Sequence, residues 1–313
     1  MTWLTWRRMS TRFGLPTMAG TDHSILEALA NKPAWLPDVM HHQLHIAYQG
    51  SRLCNVLGNC EMTADGLLPN PAPIIQMFDT ELRAQEARFA SCWRNNEYIF
   101  FLATKLQLYS FALSTTGLEL TNSAERRTEI YSHAYLTAMN LLQSALDLST
   151  ELPYWSEHQL RNVIDAVYFL LKLGGASYEF VDEAAAKNTV GQVWQLLRSR
   201  SQTEDDHVSR VCSVIEYLSQ NPWKRESNVS VKIKSRMAGN LAIDSVWCAR
   251  NRFSETVRAQ RPVDYTSAAG IEKSLDGLDE QPWLSFFGEV VGDWECIFEK
   301  MNVESLLGSM DGG

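Results

Sequence analysis

The stretch SEHQLRNVIDAVYFLLKLGG, residues 156–175, decides the fold class. Its apolar residues recur at spacings of three and four, which places them on one face of a helix. Ser156 and Gln159 stand three residues apart, as in a capping box, and predict the first turn. Gly174 and Gly175 predict the end, because glycine takes the left-handed backbone conformation at little cost. The stretch therefore predicts one amphipathic helix with a buried face.

The same helical period continues on both sides of this stretch. Connections of about 5 to 8 residues bring consecutive helices into antiparallel contact. We predict an all-α, multi-helix antiparallel bundle over residues 1–262, followed by a linker and an acidic, partly disordered C-terminal tail over residues 263–313. The further helices are predicted over residues 38–55, 73–89, 93–113, 122–148 and 238–258, together with a helix capped by Asp182.

Composition narrows the class of protein. The 313 residues carry a net charge of -9, and residues 272–313 contain ten acids against two bases, so the charge is concentrated in the tail. The six cysteines show neither the paired spacing of a zinc site nor that of a disulfide framework. No run of apolar residues is long enough to span a membrane.

Three consecutive acids, residues 204–206, allow two interpretations. In a class I terpene synthase, an all-helical enzyme, such a cluster holds magnesium against a diphosphate. That chemistry needs a second acidic cluster across the site, and no matching motif follows in the chain. Thr203 and Asp206 have the spacing of a capping box, and acids in a first turn meet the positive end of the helix dipole. The pattern favours a helix start.

No other motif indicates catalysis. His41 and His45 have the i, i+4 spacing that can chelate a metal from one helix face, but no third ligand stands nearby, which favours a surface or core pair. The nucleophile and phosphate-binding signatures are missing. We therefore predict a protein that is not an enzyme and holds no cofactor or metal in this chain.

The tail alternates acids with large apolar residues, and two interpretations stay open. Such composition is typical of activation segments that fold on a coactivator, and it is equally that of a last amphipathic helix packed on the body. The residues predicted to carry activation are Trp283, Phe286, Phe287, Trp294 and Phe298.

Several segments occur in the order found in one known family. They are AYLTAMNLLQSAL (134–146), VYFLLKL (167–173), Asp182, LLRSRS (196–201), and Asp206 followed by Arg210. With these segments, residues 35–260 resemble the regulatory region of fungal zinc-cluster transcription factors, most closely the type that regulates branched-chain amino-acid genes.

The resemblance implies a helical regulatory domain, nuclear residence, a C-terminal activation segment that binds a coactivator, and DNA binding as a dimer. It favours the activation interpretation of the tail. Whether a small-molecule effector binds between the helices stays open. The family's six-cysteine cluster, C-x2-C-x6-C repeated, does not occur in this sequence. Zinc is therefore expected only with an upstream cluster, and DNA is contacted only indirectly. The expected protein partners are a second copy of this chain or a full-length zinc-cluster relative. A helical scaffold without a transcriptional role is the remaining alternative.

Overall fold

The structure, a computed structural model, describes residues 23–58, 71–114, 122–174, 178–203 and 206–221, with the single residues 241, 242, 245, 246, 249 and 252. Every element that these residues form is helical, which confirms the all-α prediction. Their α-helices are α1 (His23–Ala30), α2 (Asp38–Gly58), α3 (Ala72–Phe89), α4 (Asn95–Ser110), α5 (Asn122–Asp147), α6 (Glu157–Gly174), α7 (Glu183–Arg200) and α8 (His207–Gln220). Short 3-10 turns, Ala90–Cys92, Phe111–Ser114 and Ser149–Tyr154, follow α3, α4 and α5.

The predicted helix bounds agree with the structure to within a few residues. The long helix predicted over 122–148 is Asn122–Asp147, and that predicted over 38–55 continues to Gly58. Helix α1 was not predicted, because eight residues give too short a window for its period to stand out. In the region predicted as a helix over 238–258, the described residues are helical. The tail, residues 263–313, lies outside the described residues.

The first turn of α6 is closed by the predicted capping box. The main-chain N–H of Ser156 donates to Gln159 Oε1 at 2.8 Å, and Gln159 N–H donates to Ser156 Oγ at 3.3 Å. Two N–H groups that lack a partner at every helix start are thereby satisfied. The prediction that Gly174 takes the left-handed conformation is wrong, since Gly174 is the last helical residue of α6. Gly175 lies outside the described residues.

Helix α4 lies at the centre of the core. It packs against α2, α3, α5 and α6, so its buried residues point in every direction rather than along one stripe, as expected of a helix enclosed by others. Each large apolar side chain removed from water contributes about 1.5–3 kcal/mol. The largest fully buried side chains of the described residues are Tyr109, Tyr131, Tyr168, Phe78, Phe101, Phe111, Phe169, Ile46, Leu53 and Leu57.

The chain divides into two compact units. The first comprises Met1–Leu196 and Ile215–Ser245, and it holds α1 to α6 and the core around α4. The second comprises Leu197–Val214 and Val246–Gly313. Among its described residues are the last turn of α7, the first turns of α8 and the segment that joins them.

Candidate functional site

The five aromatic residues predicted to carry activation are Trp283, Phe286, Phe287, Trp294 and Phe298. All of them lie outside the described residues. Their role stays a prediction from composition and from the family resemblance.

Asp182 caps a helix, as the sequence predicted. Its Oδ1 accepts a hydrogen bond from the main-chain N–H of Ala185 at 2.9 Å, and its carbonyl oxygen accepts from Ala186 N–H at 2.9 Å. The hydroxyl of Tyr135, on α5, donates to the same carbonyl at 3.3 Å. Asp182 therefore fixes the start of α7 against α5, which is a structural task.

Asp206 is the cap of α8, and Thr203 is not, because the helix begins at His207, three residues later than the predicted box. Its Oδ1 accepts from Ser209 N–H at 2.7 Å. Its Oδ2 accepts from Gln202 N–H at 2.7 Å, from Thr203 N–H at 3.2 Å and from the Ser201 hydroxyl at 3.1 Å. The carboxylate thus joins the preceding turn to the helix start.

These donors decide the protonation state of Asp206. Burial alone would raise the pKa of Asp206, but the hydrogen bonds from Ser209, Thr203, Gln202 and Ser201 lower it to about 2. A carboxylate offers about four lone-pair sites; here Oδ2 accepts three hydrogen bonds and Oδ1 accepts one. The carboxylate is therefore a helix cap and is poorly placed as a magnesium ligand. Residues 204 and 205 lie outside the described residues.

Arg210, the last residue of the family pattern, lies in the first turn of α8. It is 9% exposed, and its main-chain N–H donates to the Asp206 carbonyl at 3.1 Å. One residue earlier, the Ser209 hydroxyl accepts from the Arg198 guanidinium at 2.5 Å. Asp206, Arg210 and their neighbours therefore build the joint between α7 and α8. Arg210 therefore has a structural role, and it lines neither of the two cavities described below.

The two predicted histidines contact each other. His41 Nε2 and His45 Nε2 are 3.2 Å apart on α2, and the His45 ring packs against Phe89 with 5.1 Å between ring centroids. Burial, reinforced by the neighbouring imidazole of His41 and by Arg88, lowers the pKa of His45 to about 4. Among the described residues no group of three or more potential ligands is assembled. The pair is therefore a neutral, hydrogen-bonded contact in the apolar layer beneath α1 and α3.

A charged network that no sequence motif predicts connects α3, α4 and α5. The Tyr109 hydroxyl donates to Asp79 Oδ1 at 2.5 Å, and Arg83 Nε donates to Asp79 Oδ2 at 2.8 Å. Arg83 also lies 3.3 Å from His133 Nδ1. Burial, followed by the hydrogen bond to Asp79, raises the pKa of Tyr109. An open cavity of about 460 Å³ adjoins this network. Because the polar groups satisfy one another, they bind the three helices together.

A second polar cavity lies where α2, α4 and α6 meet, and we call it the α2–α4–α6 pocket. Its volume is about 270 Å³. The polar residues that line it include Gln43, Arg94, Asn96, Glu97, Gln159 and Asn162. Glu97 is 1% exposed although it carries a carboxylate. From the sequence, Glu97 is only a residue in a helical first turn. No local signal marks its burial, which comes from packing by α2 and α6.

No helix among the described residues is both long and apolar enough to cross a membrane.

Three curated proteins align with most of this chain. It is 24% identical over 273 residues to "Putative transcription factor SEF1" of Kluyveromyces lactis, which covers 82% of this chain and 23% of that protein. It is 26% identical over 296 residues to the protein of the same name in Eremothecium gossypii, covering 83% and 27%. It is 25% identical over 273 residues to "Transcriptional regulatory protein SEF1" of Candida albicans, covering 79% and 28%.

The chain thus spans about a quarter of the length of these relatives. No protein-family model matches it, and no solved structure matches it.

Proposed function

We propose that this chain is the helical regulatory part of a fungal-type, RNA polymerase II transcription regulator and acts in the nucleus. The observation that carries the proposal is the alignment of about four fifths of the chain with three relatives that are named as transcription factors or transcriptional regulators. The all-helical fold and the structural roles of Asp182 and Asp206 accord with a domain that transmits a signal through packing. No catalytic function is proposed.

The tail supplies the activation function in this proposal. Acids keep its aromatic side chains in water and steer them toward basic partners, while the aromatic residues provide the buried anchors that dominate such contacts. The partner is a transcriptional coactivator with an apolar groove. DNA is reached through a full-length zinc-cluster relative, since this sequence contains no six-cysteine cluster of its own. A second copy of this chain is the other proposed partner. Zinc belongs to that cluster and not to this chain.

A reporter assay tests the proposal. The full chain and residues 263–313 are each fused to a foreign DNA-binding domain, and transcription of a reporter is measured in yeast. Both fusions are expected to activate. Alanine at Trp283, Phe286, Phe287 and Trp294 together is expected to lower activation by about tenfold or more, because each lost anchor of this kind removes a dominant part of the binding free energy.

The matched control replaces exposed aromatic residues of the helical body. Trp35 is 77% exposed and Tyr154 is 88% exposed, so alanine at both removes aromatic surface without opening the core. This control fusion is expected to activate as wild type does. Activation that is lost equally in the control, or an inert tail at normal protein levels, would count against the proposed activation segment.

A further inference from the structure

The buried polar atoms of the α2–α4–α6 pocket that receive or donate no hydrogen bond within the described residues include a carboxylate oxygen and an amide nitrogen. Glu97 Oε2 accepts the Arg94 main-chain N–H at 2.5 Å, but Glu97 Oε1 is buried and receives no hydrogen bond. The buried Nδ2 of Asn162 donates none. Buried polar atoms in folded proteins almost always have a partner, and a buried carboxylate is especially costly without one. The pocket therefore lacks a hydrogen-bonding partner for each group.

Two of the neighbouring polar side chains, Gln159 and Asn96, are already hydrogen-bonded to each other. Gln159 Nε2 donates to Asn96 Oδ1 at 2.9 Å, and Gln159 Oε1 accepts from Ser156. Asn96 Nδ2 in turn donates to Glu151 at 3.2 Å. This chain of hydrogen bonds holds the rim between α4 and α6 in place. These two amides are therefore committed to the rim and not to Glu97 Oε1.

The charges around the pocket define what that partner is. Glu97 presents a carboxylate whose Oε1 receives no hydrogen bond. Arg94 lines the same pocket and is exposed. A guanidinium binds a carboxylate through two parallel hydrogen bonds. Helices α4 and α6 both begin at this pocket, and their positive dipole ends favour an anion there.

We propose that the α2–α4–α6 pocket binds a small zwitterion of the amino-acid class, with its ammonium group on Glu97 and its carboxylate on Arg94 and Asn162. The ammonium donates to Glu97 Oε1 and neutralises the buried charge. The carboxylate accepts from the Arg94 guanidinium and from Asn162 Nδ2. A volume of about 270 Å³ is slightly below the range of pockets that hold drug-sized ligands, which suits a small metabolite.

Thermal unfolding of the purified full chain tests the proposal. L-alanine is compared with propionate, which lacks the ammonium group, and with ethylamine, which lacks the carboxylate. L-leucine, L-glutamine and L-lysine then test which ligand side chain the pocket accepts. A ligand that binds only the folded state raises Tm with the logarithm of its concentration once that concentration exceeds Kd. We expect such a rise with at least one amino acid and a smaller rise with propionate or ethylamine at the same concentration.

Two variants locate the effect. Glu97→Gln keeps the shape and removes the charge, so the rise in Tm is expected to disappear. Arg94→Met, at an exposed position, is expected to weaken binding at least tenfold without affecting folding. The matched control Glu129→Gln changes an exposed glutamate at the other cavity and should keep the full rise.

An equal response to alanine in Glu97→Gln, equal shifts from alanine and propionate, or no concentration-dependent rise in Tm with any of these amino acids would overturn the proposal. If Glu97→Gln does not fold, the proposal is tested by Arg94→Met alone, and a rise in Tm with alanine equal to that of the wild type would overturn it. The assay needs neither DNA nor a reporter, so its outcome is independent of the transcriptional proposal.

Discussion

Replacing Asp206 by alanine removes all four hydrogen bonds that join the turn after α7 to the start of α8. Loss of an N-cap costs about 0.5–2 kcal/mol. The pKa gives a second measure, since its fall from 3.8 to about 2 corresponds to about 2 kcal/mol at 1.36 kcal/mol per unit. Water screens the exposed part of this carboxylate, which reduces that figure to about 1 kcal/mol. We therefore expect Asp206→Ala to lower the free energy of unfolding by about 1 kcal/mol at pH 7.

The same pKa predicts how the loss depends on pH. The pKa of Asp206 is lower in the folded chain than in the unfolded chain, so the unfolded chain binds more protons between about pH 4 and pH 2. Its stabilisation is therefore fully present above the unfolded pKa, near 4, and is lost as the pH falls through about 2. The wild type and Asp206→Ala should converge in stability over that window.

Urea unfolding of the full chain, followed by far-UV circular dichroism from pH 7 to pH 2, measures this difference. Asp206→Asn should lose less than alanine, because asparagine also caps helices. The control Glu216→Ala alters an exposed acid later in α8, and should change stability by no more than about 0.5 kcal/mol. A wild-type stability for Asp206→Ala at pH 7, or a deficit that stays constant down to pH 2, would refute the capping role.

Three further substitutions test the packing. Tyr109→Phe removes the hydroxyl bonded to buried Asp79 and should lower the free energy of unfolding in urea by about 1–3 kcal/mol. The control Tyr154→Phe, at an exposed site, should not change it measurably. Equal effects of the two substitutions would contradict the network. The pKa of His45 is about 4 in the folded chain and 6.5 in the unfolded chain, so the unfolded chain binds more protons between these values. The free energy of unfolding should therefore decline as the pH drops from 6.5 to 4. Measured as Tm against pH, this decline should be smaller in His45→Gln. Ser156→Ala should lower the unfolding free energy by about 1 kcal/mol, and a neutral result would show that the α6 capping box contributes little.

Local patterns predicted the helices and two of their caps, because the determinants lie within a few residues. The α6 box needs only Ser156 and Gln159, and Asp182 needs only the N–H three residues later. At Asp206 the local pattern predicted a helix start in the right segment but the wrong residue as its cap. Thr203 and Asp206 stand three residues apart whether the helix begins after Thr203 or after Asp206, and it begins after Asp206. Spacing alone does not fix where a helix starts.

The sites were harder to predict because their partners are distant in sequence. Asp79 meets Tyr109 across 30 residues, and no motif links the two positions. Glu97 was overlooked for a different reason, as a glutamate in a first turn is usually a solvated helix-start residue. It becomes a buried carboxylate only when α2 and α6 close over the start of α4. Burial of a charge is a tertiary property, and it is this property that marks the pocket.

The position of the pocket gives a bound ligand a route to influence the helical body. Glu97 lies on α4, the helix that α2, α3, α5 and α6 all contact. A ligand shifts a conformational equilibrium only by its difference in affinity between the two states. An ammonium on Glu97 binds only where α2 and α6 close over α4, since separation of these helices returns the carboxylate to water. Occupancy of the pocket would therefore favour the closed packing of the bundle, and the coupling would be largest for variants in which that packing is weakened.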